Sequence, residues 1–177
     1  VMNCLGTHDT ARLLTVLGDD FNGSKEEKAE RFLTPEQRKT ALDRLLPALL
    51  LQFTLPGMPS VFYGDEAGLQ GFEDPFCRRF YPWGREDKSI LALYRAVIRL
   101  RKESAALRSG ELRLRTAGGG RIAYERVCES QTARVFINRS DSVWQLGTAE
   151  QPRFAVGLIC CGDELALQPN GVCVIFT

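Results

Sequence analysis

The sequence predicts a mixed fold, α/β over residues 1–109 and all-β over residues 110–177. Three observations carry this reading. Residues Ile90, Leu93, Tyr94, Val97, Ile98 and Arg101 fall at helical spacing, and the first part as a whole shows that period. Apolar residues after position 110 instead fall in short runs at strand spacing, with Gly118-Gly119-Gly120, Asn138 to Ser142 and Pro169-Asn170-Gly171 as turns between them. Composition shifts at the same place, because no lysine follows Lys102.

The elements follow in order. "VMNCL" reads as a strand end, and a short helix from about Thr10 to Leu17 follows it, stopped by Gly18. Residues 19–33 read as a polar, charged connection. "TPEQ" then starts a long helix: Thr34 caps it, Pro35 takes the first helical position and Gln37 completes a capping box. That helix is expected to run to about Thr54 with a kink at Pro47, and "LPGMP" ends it. "SVFYG", residues 60–64, reads as a short buried strand. A long loop rich in Gly, Pro, Asp and Arg leads to Asp87, which caps the second clear helix.

Strand, helix, strand, helix is the order of parallel α/β architectures. Two such units enclose no core of their own, and a parallel strand normally needs cover on both faces. Residues 1–109 therefore read as the tail of a larger barrel or sheet. In residues 110–177, "ELRLRT", "RIAYERV", "ARVFINR", "SVWQLG", "FAVGLICC" and "GVCVIF" fit a small antiparallel β-sandwich, short enough to need docking on the preceding helices.

Composition bounds the function classes. With 177 residues, 44% apolar and 25% charged, the chain is an ordinary globular protein of one or two domains. A net charge of +1 argues against a nucleic-acid surface or a strongly acidic partner. The longest apolar run, Leu45 to Leu51, contains Pro47 and is too short to span a bilayer, so no membrane partner is expected. Six cysteines without a CxxC pair argue against zinc; they read as buried free thiols of a reducing cytoplasm, where the protein is placed. No signal peptide is visible, and Val1 in place of Met hints at a piece of something larger.

Three clusters could carry chemistry. The only histidine, His8, stands beside Asp9 just after the first strand, where barrel enzymes place their catalytic groups. A carboxylate there can stabilise positive charge on a substrate and an imidazole can bond a hydroxyl; equally, Asp9 can cap the next helix. Asp65 and Glu66 end the second strand, either for acid–base or cation chemistry or to organise the loop. The loop "GFEDPFCRRFYPWGRED" combines Asp74, Arg78 and Arg79 with Phe72, Phe76, Phe80, Tyr81 and Trp83, a mixture that suits either a sugar site or an aromatic loop packed on the barrel.

Taken together these stretches resemble glycoside hydrolase family 13, the α-amylase family, in its neopullulanase, cyclomaltodextrinase and maltogenic-amylase branch. "LGTHDT" resembles the conserved region after the seventh barrel strand. "LLLQFTLPGMPSVFYGDEAGLQGFEDPFCRRFYPW" is similar to the seventh helix, eighth strand and following loop, and "LQPNGVCVIF" to the end of the terminal sandwich. The resemblance implies the last two βα units of a (β/α)8 TIM barrel in residues 1–109 and a carboxyl-terminal sandwich in residues 110–177. It also implies activity on α-glucans or maltooligosaccharides. Asp9 matches the carboxylate that stabilises the transition state, His8 a residue binding sugar hydroxyls, and Asp74 and Arg78 a pair contacting the next sugar. Asp65 and Glu66 match a structural motif and are not assigned as catalysts. Thr7 departs from the Asn or Ser common in that position.

Retaining glycoside hydrolysis needs a nucleophile and a separate general acid about 5–5.5 Å apart. The family draws them from its fourth and fifth strands, which would precede Val1, so the chain alone is expected to be inactive. No cofactor or metal is expected within it, and calcium in a parent protein is left open. An open barrel edge exposing Val61, Phe62 and Leu49 would favour self-association. A non-catalytic carbohydrate-binding or structural module, and part of an α-glucan transglycosylase, are the alternative readings.

Overall fold

A computed structural model describes residues 1–161 and 164–177. The chain divides into two compact units: Met2–Gln52 with Met58–Ala96, and Val97–Thr177 with Phe53–Gly57 and Val1.

In the first of these, strand β1 (Met2–Cys4) pairs in parallel with β2 (Met58–Ser60), Met2 opposite Met58 and Cys4 opposite Ser60. Helix α1 (Leu13–Gly18) and helix α2 (Lys25–Ala29) follow β1, and the long α3 (Pro35–Thr54) leads to β2. Thr34 and Gln37 form the expected capping box on α3: the Thr34 N–H donates to Gln37 Oε1 at 2.9 Å and the Gln37 N–H to Thr34 Oγ1 at 3.2 Å. The helix continues through Pro47 and buries Ala41, Leu45, Leu46, Leu49 and Leu50. Gln52 ties the strands to it, its amide donating to the carbonyls of Asn3 at 3.0 Å and Ser60 at 2.7 Å. Helix α4 (Lys88–Glu103) starts at Asp87, whose Oδ1 accepts from the N–H groups of Ser89 and Ile90 at 2.9 and 3.1 Å.

Several expectations need correction. The second strand lies at 58–60, not 60–64, and Met58 and Val61 are exposed. It has only β1 as a neighbour among the described residues, so the ladder stops where β1 stops. Leu49, expected at an open edge, is buried. The first helix begins at Leu13 because residues 7–10 form a side-chain-bonded turn, the Thr7 N–H donating to Thr10 Oγ1 at 2.9 Å, and Arg12 is extended. Gly18 ends inside that helix, where a Cβ would meet the Gln37 carbonyl at 2.7 Å. The connection 19–33 contains α2, capped reciprocally by Ser24 and Glu27.

In the second unit a short helix, α5 (Ala105–Ser109), precedes six strands: β3 (Glu111–Gly118), β4 (Arg121–Cys128), β5 (Gln131–Asn138), β6 (Trp144–Gln145), β7 (Phe154–Cys161) and β8 (Glu164–Phe176). All pair antiparallel in the order β3-β4-β5-β8-β6, with β7 also on β8. The sandwich expected for residues 110–177 is thus one curled sheet. Its cause is the length of β8: Val172–Phe176 pair with β5, while residues from Glu164 to Val174 pair with β7. Pro169-Asn170-Gly171, expected as a turn, bends this strand from within. Asn170 takes φ 62°, and the β7–β8 register shifts between Val156 and Leu158. Leu165, Leu167, Cys173 and Ile175 form a core with Phe136, Trp144 and Leu158 packed against them. The turn at Asn138–Ser142 is held by Asn138, whose amide donates to the Ser142, Leu167 and Gln168 carbonyls.

Cys77 and Cys173 are buried free thiols, whereas Cys4 and Cys160 are exposed; the side chain of Cys161 lies outside the description. Among the described residues no helix is long and apolar enough to cross a membrane.

Candidate active site

The two parallel strands deliver their following loops, residues 5–12 and 61–87, to the same end of the sheet. In the first loop the Thr7–Thr10 turn presents the His8 and Asp9 side chains outward, 69% and 66% exposed, with the Asp9 N–H donating to Thr7 Oγ1 at 3.3 Å. The helix-cap reading of Asp9 fails. Helix α1 starts four residues later with Arg12 at its cap and no side-chain cap bond.

The second loop meets the first through Arg78. Its Nη2 donates to Asp9 Oδ1 at 3.1 Å, and its Nε lies 3.0 Å from the His8 carbonyl and 2.9 Å from Asp74 Oδ1. His8 Nε2 lies 3.1 Å from Asp9 Oδ2. All four residues singled out from sequence, His8, Asp9, Asp74 and Arg78, therefore form one cluster, although about 65 residues of chain separate the two pairs. Water screens ion pairs this exposed, so they add little stability. Their consequence is orientation: each Asp9 oxygen has a defined partner, and the face left open carries a carboxylate, an imidazole and a guanidinium.

Asp65 and Glu66 stand apart from that cluster. The Asp65 carboxylate is buried and its Oδ1 accepts from Arg12 Nη1 at 3.2 Å. Burial, with a smaller contribution from neighbouring Glu66, pushes its pKa up to about 6 against the pull of Arg12. Glu66 accepts from the Gly64 N–H at 2.8 Å, which organises the turn after β2.

Sequence reasoning missed Arg12 and Cys77. Arg12 is fully buried, its guanidinium carbon 4.1 Å from the Phe62 ring centroid and 4.7 Å from that of Tyr63. Its Nε donates to the Cys77 carbonyl at 2.6 Å and its Nη1 also to the Tyr63 carbonyl. Its backbone N–H donates to the Gly71 carbonyl at 2.9 Å, while the Gly71 N–H donates to Thr15 Oγ1. Gly71 must lack a side chain, since a Cβ would sit 2.2 Å from the Phe76 carbonyl. The Cys77 thiol, raised in pKa by burial, donates to the His8 carbonyl at 3.1 Å. The one signal in the sequence was a charge at the head of the apolar run "ARLLTV".

The aromatic loop is split. Phe72 is buried, Tyr81 and Trp83 pack ring on ring at 4.5 Å, and Phe80 and Trp83 are 98% and 81% exposed. Among the described residues no group of His, Cys, Asp and Glu is placed to hold a metal ion. The cluster can instead bond hydroxyl groups and place one carboxylate beside a centre developing positive charge.

No family model matches the chain. An amylopullulanase of Thermoanaerobacter thermohydrosulfuricus is 42% identical over 125 residues, which cover 71% of this chain and 8% of that protein. A cyclomaltodextrinase of Bacillus sp is 39% identical over 142 residues, 78% of this chain and 22% of the relative. Among solved structures, the debranching enzyme of Nostoc punctiforme soaked with acarbose superposes with a TM-score of 0.74 at 26% identity, covering 99% of this chain and 33% of that one. The chain thus spans a quarter or less of these curated relatives and a third of the solved enzyme.

Proposed function

We infer from this relatedness that the chain belongs to the α-amylase family of glycoside hydrolases and forms the carboxyl-terminal part of a member acting on α-glucans. The single observation that carries the reading is the meeting of His8, Asp9, Asp74 and Arg78 from two loops beyond the carboxyl ends of adjacent parallel strands. That is where a barrel enzyme assembles its site. On this reading β1 and β2 are the seventh and eighth strands of a (β/α)8 barrel, and residues 110–177 are its terminal β-domain.

The chemistry is cleavage of an α-glucosidic bond with retention, or transfer through the same covalent intermediate. Asp9 stabilises the oxocarbenium-like transition state, because a carboxylate fixed beside the anomeric carbon favours the positive charge that develops there. Arg78 holds one Asp9 oxygen and leaves the other toward His8. His8 bonds hydroxyls of the sugar being cleaved, and Asp74 with Arg78 grips its neighbour. The nucleophile and the general acid come from outside these 177 residues. Surface thiols at Cys4 and Cys160 fit a reducing compartment, the cytoplasm.

The test is maltotriose hydrolysis followed by proton NMR of the product anomers. The complete enzyme should release the α-anomer first, and the 177-residue chain alone should release nothing. Glucose or maltose formed by the pure chain would refute this division of the site. The exposed rings of Phe80 and Trp83 favour a second reading, a non-catalytic sugar-binding module. In that case Trp83→Ala abolishes maltotriose binding while Asp9→Asn leaves the complete enzyme's activity intact.

A further inference from the structure

We propose that Arg12 is a positioning residue of this site, acting through the Cys77–Arg78 peptide on Asp9; the proposal rests on the role given to Asp9 above. Arg12 follows Asp9 by three residues, yet every hydrogen bond it donates reaches into the loop after β2. Its backbone N–H engages Gly71, its Nε the Cys77 carbonyl at 2.6 Å, and its Nη1 both Tyr63 and Asp65. The rings of Phe62 and Tyr63 lie against the guanidinium and fix its plane.

The Cys77 carbonyl belongs to the peptide that carries Arg78. Holding that carbonyl at 2.6 Å sets the direction in which Arg78 leaves the chain. From there Arg78 reaches the His8 carbonyl at 3.0 Å and Asp9 Oδ1 at 3.1 Å, while Cys77 Sγ donates to the same His8 carbonyl. The contacts close a circuit from Arg12 through Cys77 and Arg78 to Asp9 and back along three residues of chain. Rotation of the Cys77–Arg78 peptide would open the circuit at its functional end, the Arg78–Asp9 contact.

A planar fork is needed for this. Lysine offers one nitrogen, which can reach Asp65 or the Cys77 carbonyl but cannot span both while lying against two rings. Stability alone does not require the pair, since a buried ion pair is commonly matched or bettered by apolar residues of similar volume. Asp65 anchors the far end of the guanidinium and so belongs to the same device.

Two variants of the full chain separate positioning from stability: Arg12→Lys, and the size-matched apolar pair Arg12→Met with Asp65→Leu. The first readout is the Arg78 Nε–H resonance in ¹H–¹⁵N spectra, assigned by its loss in Arg78→Lys. It should shift or exchange away in both variants while the amide signals of β1 and β2 persist. The second readout is the complete enzyme, where kcat should fall about 10- to 100-fold with KM changed less than about threefold. The apolar pair should melt near the wild-type temperature and still show both losses. An unchanged Arg78 signal in folded variants overturns the proposal, as does recovery of both readouts in the apolar pair. Should that pair not fold, Arg12→Lys decides on the same two readouts. If the Arg78 signal responds but Asp9→Asn leaves kcat at the wild-type value, the role given to Asp9 has failed and the positioning circuit stands.

Discussion

Replacing Arg12 with methionine should destabilise the chain in a way that depends on pH. The substitution keeps the length of the side chain and removes its charge, leaving the buried Asp65 carboxylate without its ion-pair partner. Even with Arg12 in place, burial holds the Asp65 pKa at about 6, against 3.8 for an ordinary aspartate. At 1.36 kcal/mol per unit, the ionised native form already carries a penalty of about 3 kcal/mol. Because the folded pKa lies above the unfolded one, the native state holds the proton more tightly, and stability falls as pH rises from about 4 to 6. Loss of Arg12 raises the folded pKa further and extends that fall to higher pH. Breaking a buried pair from one side costs about 3–5 kcal/mol when the remaining group stays charged. Of that cost, the carbonyls of Cys77 and Tyr63, each losing a donor, account for about 1 kcal/mol apiece, and this part is the same at any pH. Urea unfolding at pH 7.5 should therefore show a loss of about 3–5 kcal/mol, and at pH 5 a loss about 2 kcal/mol smaller. A loss below about 1 kcal/mol at pH 7.5, or the same loss at both pH values, would refute the buried-pair reasoning.

Other outcomes follow from the same structure. Asp87→Ala removes the side chain that caps α4 and pairs with Arg38, and should lower stability by about 1 kcal/mol in urea unfolding. The exposed apolar side chains Met2, Met58 and Val61 along the β1–β2 edge should drive self-association, visible as a mass above that of the monomer in light scattering at tens of micromolar. His8 is the only histidine, so its imidazole proton signals report the site alone. Titration with maltotriose should move them and leave the amide signals of β3 and β4 in place, whereas movement confined to the Trp83 indole would favour the sugar-binding-module reading.

What the sequence revealed depended on whether a feature was written locally. The capping residues Thr34, Gln37 and Asp87 lie within a turn of the helices they start, and each occupies the cap in the structure. Ser24 and Glu27 wrote α2 in the same way, but inside a run of charges that reads as a solvated connection. "SVFYG" misled because its aromatic residues serve another purpose: Phe62 and Tyr63 pack on Arg12 and take no part in the ladder. Pro169-Asn170-Gly171 has turn chemistry, yet a left-handed residue also bends a long strand, and only the pairing partners of β8 decide between the two. The four residues that cluster at the candidate site were singled out through the motifs they stand in, since no period links His8 to Arg78. Arg12 was not, because its partners Asp65 and Cys77 are 53 and 65 positions away.

The central claim is that Asp9 serves the transition state of α-glucoside cleavage, and one substitution addresses it most directly. Asp9 is exposed and supports no helix, so Asp9→Asn in the complete enzyme should leave the melting temperature in place. The turnover of maltotriose should fall by about 10²–10³, the scale of removing one group that stabilises charge only in the transition state. Turnover within about twofold of wild type, measured on protein with an unchanged melting temperature, would contradict the claim.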